Sequence, residues 1–217
     1  MSYSLIIPAQ DSNKHHKKGD FSFFGDTTLL EWKISQCIEC CNKSDIFVST
    51  YSEKAISIAK KYKIGLIHRK DGISYADILI DAAKKVTTDY IVWVNPTSPF
   101  MGPSQYKEAI DIFFLNLDKY DSLITANERR DFVYFNNKKI NFLKHSDGRS
   151  CLDPIYIATN GMYINSRENI LNGKGLIGEN PFFYNLGYLE SLEISDEQTY
   201  YFISELISLY FQKQFKV

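Results

Sequence analysis

The sequence lacks long apolar runs and has no excess of charge of either sign. No apolar segment approaches the ~18 residues that a membrane-spanning helix needs, and residues 1–8 have neither the basic region nor the long apolar region of a secretory signal. The 25 Lys and Arg side chains nearly cancel the 26 Asp and Glu side chains, so no overall field would hold nucleic acid or an anionic membrane. These absences predict a soluble, cytoplasmic protein that binds neither nucleic acid nor membranes.

Several signatures of particular chemistries are also missing. Three of the four cysteines, Cys37, Cys40 and Cys41, lie close together, but no second ligand pair has the spacing of a zinc site. We therefore expect structural thiols. The chain has no GxxxxGK[ST] loop, no GxGxxG fingerprint and no GxSxG elbow, which argues against P-loop, dinucleotide-binding and serine-hydrolase chemistry.

Short apolar strands alternate with amphipathic helices through the first part of the chain. The pattern predicts strands at 4–9, 45–50, 64–68, 90–94 and 122–126, with helices at 28–41, 53–62, 74–86 and 103–117. Such alternation implies right-handed crossovers and a mainly parallel sheet. We therefore predict a three-layer, Rossmann-like α/β fold in a single domain, 1–217, with ligands at the carboxyl ends of the strands.

After residue 126 the pattern changes. Residues 133–142 indicate a hairpin around Asn136 and Asn137, and a polar stretch follows it, so 127–158 is interpreted as an insertion. Beyond the insertion we expect a strand at 163–164, a short helix at 167–171, an edge strand at 189–194 and a closing amphipathic helix at 196–211.

The loop that follows the first strand is the first candidate for chemistry. Residues 9–19 are polar and include Lys14, Lys17 and Lys18. A cationic loop at the carboxyl end of a strand can hold phosphates with backbone amides and neutralise them with lysine. A solvated basic loop is the competing interpretation of the same residues.

Five stretches of the chain resemble one known family. Leu5-Ile-Ile-Pro-Ala9 followed by Lys14 resembles IIPARGGSK, and Phe47-Val-Ser-Thr50 resembles VVST. The most specific string, Asn95-Pro-Thr-Ser-Pro99, resembles QPTSP, while Asn160-Gly-Met-Tyr-Ile resembles NGAIYI and residues 191–197 fall where the family has SIDIDxE. In this order they resemble the acylneuraminate cytidylyltransferases, which make CMP-activated acidic sugars.

The resemblance implies an activity, a cofactor and an assembly. It implies a nucleotidyltransferase fold, transfer of CMP from CTP to an acidic, nonulosonic-type sugar with release of pyrophosphate, Mg²⁺ as cofactor, and a homodimer whose contacts come from 127–158. It also implies roles in catalysis for Lys14, Gln10 and Glu193; in nucleotide binding for Ala9, Gln10, Asn13, Lys14, Arg69 and Ser74; in sugar binding for Asn95, Thr97, Ser98, Phe182 and Phe183; and in metal binding for Glu193, Ser195 and Asp196.

The chain departs from the family at chemically important positions. Gln10 replaces an arginine, Gly19-Asp20 replaces a Lys-Asn pair, and Glu193-x-Ser195 replaces the DxD metal motif. Two alternatives therefore remain open: a nucleotidyltransferase with a different small phosphorylated acceptor, and a catalytically silent relative that binds nucleotide. On general grounds aromatic side chains such as Phe182 and Phe183 are found more often in the core than in a pocket, and Glu193 is also compatible with a charge on an edge strand.

Overall fold

Strands and helices follow one another in the order that the hydrophobic pattern predicts. The computed structural model describes residues 1–14, 16–142 and 148–214. Its strands are Tyr3–Pro8 (β1), Phe23–Phe24 (β2), Thr27–Thr28 (β3), Ile46–Thr50 (β4), Gly65–His68 (β5), Tyr90–Val94 (β6), Ser122–Arg129 (β7), Tyr134–Phe135 (β8), Lys138–Lys139 (β9), Ile155–Ser166 (β10) and Pro181–Asn185 (β11). Its α-helices are Leu29–Cys40 (α1), Glu53–Tyr62 (α2), Tyr75–Lys85 (α3), Pro103–Leu115 (α4), Arg167–Leu171 (α5) and Glu197–Gln214 (α6).

The central sheet has seven strands in the order β11-β7-β10-β6-β1-β4-β5. The chain starts in the middle at β1, builds outwards through β4 and β5, and returns to the other side of β1 with β6. β10 runs antiparallel to β6 and β7, whereas the remaining neighbours are parallel. The predicted, mainly parallel α/β sheet is confirmed. Because the strand order reverses between β1 and β6, a crevice is expected at their carboxyl ends.

Helices cover both faces of this sheet. On β1, Leu5 and Ile7 face one side and pack with side chains from α1, α2 and α4. Ile6 faces the opposite side and packs with side chains from α3 and α5. This alternation along one buried strand produces the three layers that the sequence predicts.

Hydroxyl side chains fix where four of the helices begin, one of them being α5, which Ser166 caps. Thr28, Ser52 and Ser74 are the N-caps of α1, α2 and α3, and each accepts a hydrogen bond from the backbone N–H three residues later. Such caps satisfy amides that the first helical turn leaves without partners. The length of each loop between a strand's carboxyl end and the next helix is thereby set.

The later part of the chain confirms one prediction and corrects another. β8 and β9 form a hairpin whose turn residues, Asn136 and Asn137, have φ values of +47° and +62°, as a two-residue type I′ turn requires. Residues 143–147 of the predicted insertion lie outside the described residues.

The predicted edge strand at 189–194 is wrong. The segment forms turns, with Ser191 N–H donating to Gly187 O and Leu192 N–H to Leu189 O. Its apolar side chains pack against helices and not on a face of the sheet. The fully buried Ile194 lies in a cluster with residues of α1 and α6. The two edge strands of the sheet are β11 and β5 instead. Among the described helices, none combines the length and apolar character needed to cross a membrane.

Candidate functional site

A cavity of 360 Å³ opens at the carboxyl ends of β1 and β6, where the strand order reverses. It is lined by Pro8, Gln10, Asn13, Lys14, Asp20, Tyr75, Asn95, Pro96, Thr97, Asn160 and Glu193. Six of the residues predicted from the sequence thus lie around one cavity: Gln10, Asn13, Lys14, Asn95, Thr97 and Glu193. The long loop after β1 forms one wall, and the loop after β6 forms the other.

The first wall is a loop closed on itself. Gln10 N–H donates to the Asp20 carboxylate over 2.9 Å, and Asp20 N–H donates back to Gln10 O over 3.2 Å. Gly19 makes this closure possible, because its φ is +51° and a Cβ there would overlap the carbonyl oxygen of Gln10. Lys14, at the tip of the closed loop, is exposed and reaches the cavity.

Asp20 is the buried acid of the site. Burial raises the pKa of its carboxyl to about 7, although the hydrogen bond from Gln10 N–H and the positive charge of Arg69 act in the opposite direction. Asn13 also approaches it, with the amide nitrogen 3.5 Å from the carboxylate. Near neutral pH the charge on this wall of the cavity therefore depends on the protonation of Asp20.

Asn160, on β10, connects the parts of the opposite wall. Its carbonyl oxygen accepts a 2.9 Å hydrogen bond from the side-chain amide of Asn95, and its own side-chain amide donates to Glu193. The Tyr163 hydroxyl donates to the Asn160 side-chain oxygen over 2.6 Å and so fixes the orientation of the amide. Ile194 N–H donates to Thr97 O over 2.8 Å. The loop after β6 and the segment that carries Glu193 are consequently held together.

Ala9 and Arg69 lie just behind the first wall. Ala9 is fully buried, and its carbonyl oxygen accepts from the Thr50 hydroxyl and from the Arg69 guanidinium, at 3.0 and 3.1 Å. The guanidinium also lies 5.1 Å from the centre of the Tyr51 ring. Arg69 lines a neighbouring hollow of 750 Å³, and neither Ala9 nor Arg69 lines the first cavity.

In this conformation the hydroxyl of Ser74 and the backbone carbonyl of Ser98 form hydrogen bonds within the protein. The Ser74 hydroxyl caps α3 and donates to Asp77. Ser98 is buried, and its carbonyl oxygen accepts a hydrogen bond from Lys33. Neither side chain lines the 360 Å³ cavity.

Phe182 and Phe183 are not brought to the cavity. Both lie on β11, which β7 and β10 separate from β6. Phe182 packs against Tyr120 with ring centres 5.1 Å apart, and Phe183 stacks on Tyr156 at 5.1 Å with nearly parallel rings. Neither ring lines the cavity, and their predicted part in a sugar pocket stays a prediction.

Of the three predicted metal ligands, Glu193 alone lines the cavity. The Asp196 carboxylate accepts from Thr199 N–H over 2.8 Å at the start of α6, and this hydrogen bond lowers its pKa. The Ser195 hydroxyl donates to Asp196. Within the described part of the chain no three His, Cys, Asp or Glu side chains form a ready-made metal site.

Besides Pro8 and Pro96, three residues of the cavity were not assigned a role from the sequence: Asp20, Tyr75 and Asn160. Tyr75 directly follows Ser74, and Asn160 is the first residue of one of the family-like strings, so both had a local signal. Asp20 stands where the family has asparagine, and its burial beside Gln10 depends on the closure of the loop, which no local pattern reveals.

Comparisons with known proteins support the resemblance seen in the sequence. The chain is 25% identical over 209 residues to the N-acylneuraminate cytidylyltransferase of Streptococcus agalactiae serotype V, and 24% identical to that of serotype III. In each case the match covers 87% of this chain and 49% of the relative. The chain is similar in sequence to N-acylneuraminate cytidylyltransferases. It spans about half the length of the curated relatives it matches, and no family model matches it.

Solved structures share the fold. The CMP:2-keto-3-deoxy-manno-octonic acid synthetase complexed with CTP superimposes with a TM-score of 0.72 at 11% identity, covering 97% of this chain and 100% of that one. The 4-diphosphocytidyl-2C-methyl-D-erythritol synthase of Anaerococcus prevotii gives a TM-score of 0.68 at 14% identity, covering 95% and 98% of the two chains. A cytidylyltransferase of Leptospira borgpetersenii gives 0.66 at 17% identity, covering 96% and 87%. At these identities the likeness establishes a fold that cytidylyltransferases use.

Proposed function

We propose that this chain is a cytidylyltransferase that transfers CMP from CTP to an acidic, nonulosonic-type sugar and releases pyrophosphate. One observation carries the proposal. Four of the five family-like strings, which are distant in sequence, come together around a single cavity at the carboxyl ends of β1 and β6. Fold likeness alone would be compatible with many activities, whereas this convergence involves the residues that bear the resemblance.

The loop after β1 is the proposed triphosphate site. Lys14 is an exposed cation at the cavity, and Lys17 and Lys18 add positive charge to the same loop. Gln10 replaces the positive charge of the family's arginine by a neutral amide. Lys14, the one of these lysines that lines the cavity, therefore supplies the main positive charge for the phosphates.

The reaction is an in-line displacement at the α-phosphorus of CTP. The anomeric hydroxyl of the sugar loses its proton to solvent, and its oxygen forms the new bond to the α-phosphorus. The bond from the α-phosphorus to the bridging oxygen of the β-phosphate breaks, and pyrophosphate leaves with that oxygen. Since this chemistry depends on positioning and on stabilising charge, Asn95 and Thr97 are proposed to orient the acceptor. The hydrogen bond from Asn95 to Asn160 holds the first of these side chains in place.

Mg²⁺ is the proposed cofactor, with Glu193 as its protein ligand. Glu193 and Asp20 are the carboxylates that line the cavity. Mg²⁺ commonly uses one or two carboxylates together with substrate phosphates and water, so this sparse donor set suits a metal that arrives with CTP. When bound, the ion would neutralise the developing charge on the phosphates. Asp196 and Ser195 would have to leave the helix cap before they could contribute.

We further propose that the chain acts as a homodimer through the segment 127–158. The hairpin and β10 expose large apolar side chains, namely Tyr134, Phe135, Ile140, Tyr156 and Ile157. A two-stranded hairpin is marginally stable without support, and an exposed apolar patch of this kind is typical of an interaction surface. We also propose a cytoplasmic location, since CTP is available there.

Pyrophosphate release tests the reaction. Each common nucleoside triphosphate is incubated with the protein, Mg²⁺ and a panel of nonulosonic acids, keto-deoxy sugar acids and small phosphorylated compounds, with Lys14→Ala as the control. The proposal predicts release that needs both CTP and a sugar acid and that the variant loses. Release with a phosphorylated compound alone would contradict the proposed acceptor, and CTP binding without any release would identify a catalytically silent relative.

A further inference from the structure

Lys33, in the middle of α1, is a lysine with no exposed surface at all. Its amino group donates to Ser98 O over 2.8 Å and to the Tyr106 hydroxyl over 2.6 Å. The nitrogen also lies 5.0 Å from the centre of the Tyr106 ring. Both hydrogen-bond acceptors are neutral, and one of them belongs to the backbone of the loop after β6.

Burying an amino group in this way is costly for stability. Desolvation lowers the pKa of Lys33 to about 7. An apolar side chain of similar volume commonly serves stability as well as or better than a buried charge does. The position of Lys33 is therefore better explained by what its nitrogen holds than by packing.

Two further side chains of α1 hold the same loop. Trp32 Nε1 and Gln36 Nε2 both donate to Pro99 O, over 2.7 and 2.9 Å. With Lys33 they form a row of three donors, one helical turn long, aimed at two consecutive carbonyl groups. The loop has few internal donors of its own, because Pro96 and Pro99 lack an N–H.

The loop that these donors fix borders the cavity. Asn95, Pro96 and Thr97 line it, and Thr97 O accepts the hydrogen bond from Ile194 N–H, next to Glu193. A displacement of the Ser98 carbonyl would therefore move Thr97 and loosen its link to the segment that carries Glu193. Lys33 itself does not reach the cavity.

We propose that Lys33 is a positioning residue, whose buried amino group holds the backbone of residues 95–99 in the shape that presents Thr97 to the acceptor. The identity of the acceptor rests on the proposed function. The proposal that Lys33 holds the loop does not depend on the proposed function, because it follows from the hydrogen bonds of Lys33 alone.

Hydrogen–deuterium exchange tests the hold on the loop without any substrate. Lys33→Met keeps the length and apolar volume of the side chain and removes the donor, while Tyr106→Phe is the matched control that leaves the bond to Ser98 intact. Loss of a buried hydrogen bond of this kind is expected to accelerate exchange of the amides in 95–101 about tenfold, with little change in Tyr106→Phe. Unchanged exchange in 95–101, or an equal acceleration throughout α1 and β6, would overturn the proposal.

Steady-state kinetics test the consequence for the acceptor. With N-acetylneuraminic acid as the probe, Lys33→Met is expected to raise the acceptor KM about tenfold while the Kd for CTP, measured by calorimetry, stays within about twofold of the wild-type value. Weaker CTP binding in proportion to the KM would contradict a role confined to the loop. If the wild-type protein transfers no CMP, the proposed function fails, and the exchange experiment still decides whether Lys33 holds the loop.

The single variant leaves the Tyr106 hydroxyl buried without its donor and could unfold for that reason. The double variant Lys33→Met/Tyr106→Phe removes this orphaned group and replaces the single variant in that event. The same acceleration in 95–101 is expected of it, and its absence would count equally against the proposal.

Discussion

Protonation of the Asp20 carboxyl makes the stability of the folded protein depend on pH. Its pKa rises from 3.8 in the unfolded chain to about 7 in the folded protein because the group is buried. Between these values the folded protein holds more protons than the unfolded chain, so the stability that this group contributes is lost as the pH rises towards and through 7. Asp20→Asn removes the titrating group and keeps an oxygen that can accept from Gln10 N–H.

Thermal denaturation of Asp20→Asn and wild type from pH ~5 to ~8 checks this expectation. The variant is expected to gain stability relative to wild type as the pH rises, by up to ~1.4 kcal/mol per pH unit, and to level off above the folded pKa. Asp26→Asn, at an exposed position, is the control and should show no such trend. A difference between Asp20→Asn and wild type that is the same at every pH would contradict the burial of a protonated carboxyl.

Lys14 is expected to contribute the main positive charge for the triphosphate. Lys14→Ala should weaken CTP binding about tenfold to a hundredfold, in line with the loss of one charge-assisted contact. Lys17→Ala is the matched control, because Lys17 belongs to the same loop and is exposed without lining the cavity. Isothermal titration calorimetry with CTP and Mg²⁺ measures both. Equal weakening by the two variants would mean that the loop acts as a diffuse charge and not through Lys14.

The sequence identified the part of the site that follows directly from strand ends. Gln10, Asn95 and Thr97 come soon after β1 or β6, and strands of a parallel sheet bring such residues to one edge. The sequence could not indicate Asp20 as a buried acid, since its environment comes from loop closure. Nor could it indicate that Asn160 joins Asn95 to Glu193, because that contact connects residues far apart in the chain.

The C-terminal cap of α2 can be tested directly by substitution. The C-cap residue, Lys63, has φ +58° and ψ +47°, the left-handed conformation that glycine adopts with the least strain. Lys63→Gly is therefore expected to raise the free energy of unfolding by about 0.5–1 kcal/mol, measured by urea denaturation. Lys60→Gly, in the body of the same helix, should lower it by about 1 kcal/mol. Destabilisation by both substitutions would show that the left-handed cap does not limit the stability of α2.

Helices and strands were predictable from the sequence where the apolar period was clear. The predicted 53–62, 90–94 and 167–171 coincide with α2, β6 and α5, because buried faces and serine caps give strong local signals. The segment 189–194 failed because its apolar residues pack against helices instead of pairing as a strand. β11 was missed since its run of aromatic residues is short and begins with proline, which is typical of an edge strand.

At the scale of the whole molecule, we predict that the protein forms a homodimer. Sedimentation velocity should give a mass near twice 25.1 kDa. Ile157→Lys, in the exposed patch of the insertion, is expected to raise the dimer dissociation constant by at least about tenfold. Leu115→Lys, on the exposed end of α4, is the control and should leave the dimer intact. A wild-type protein that remains monomeric at all concentrations would contradict the proposed role of 127–158.

Transfer of CMP to an acidic sugar is the central claim for the molecule, and phosphorus NMR tests it most directly. The protein is incubated with CTP, Mg²⁺ and N-acetylneuraminic acid or another acid of the panel. We predict that the three resonances of the triphosphate give way to one phosphodiester resonance and to pyrophosphate, with no phosphodiester formed by Lys14→Ala. Orthophosphate or free CMP without a phosphodiester would indicate hydrolysis, and an unchanged CTP spectrum with every acceptor would indicate no catalysis; either result would contradict the account.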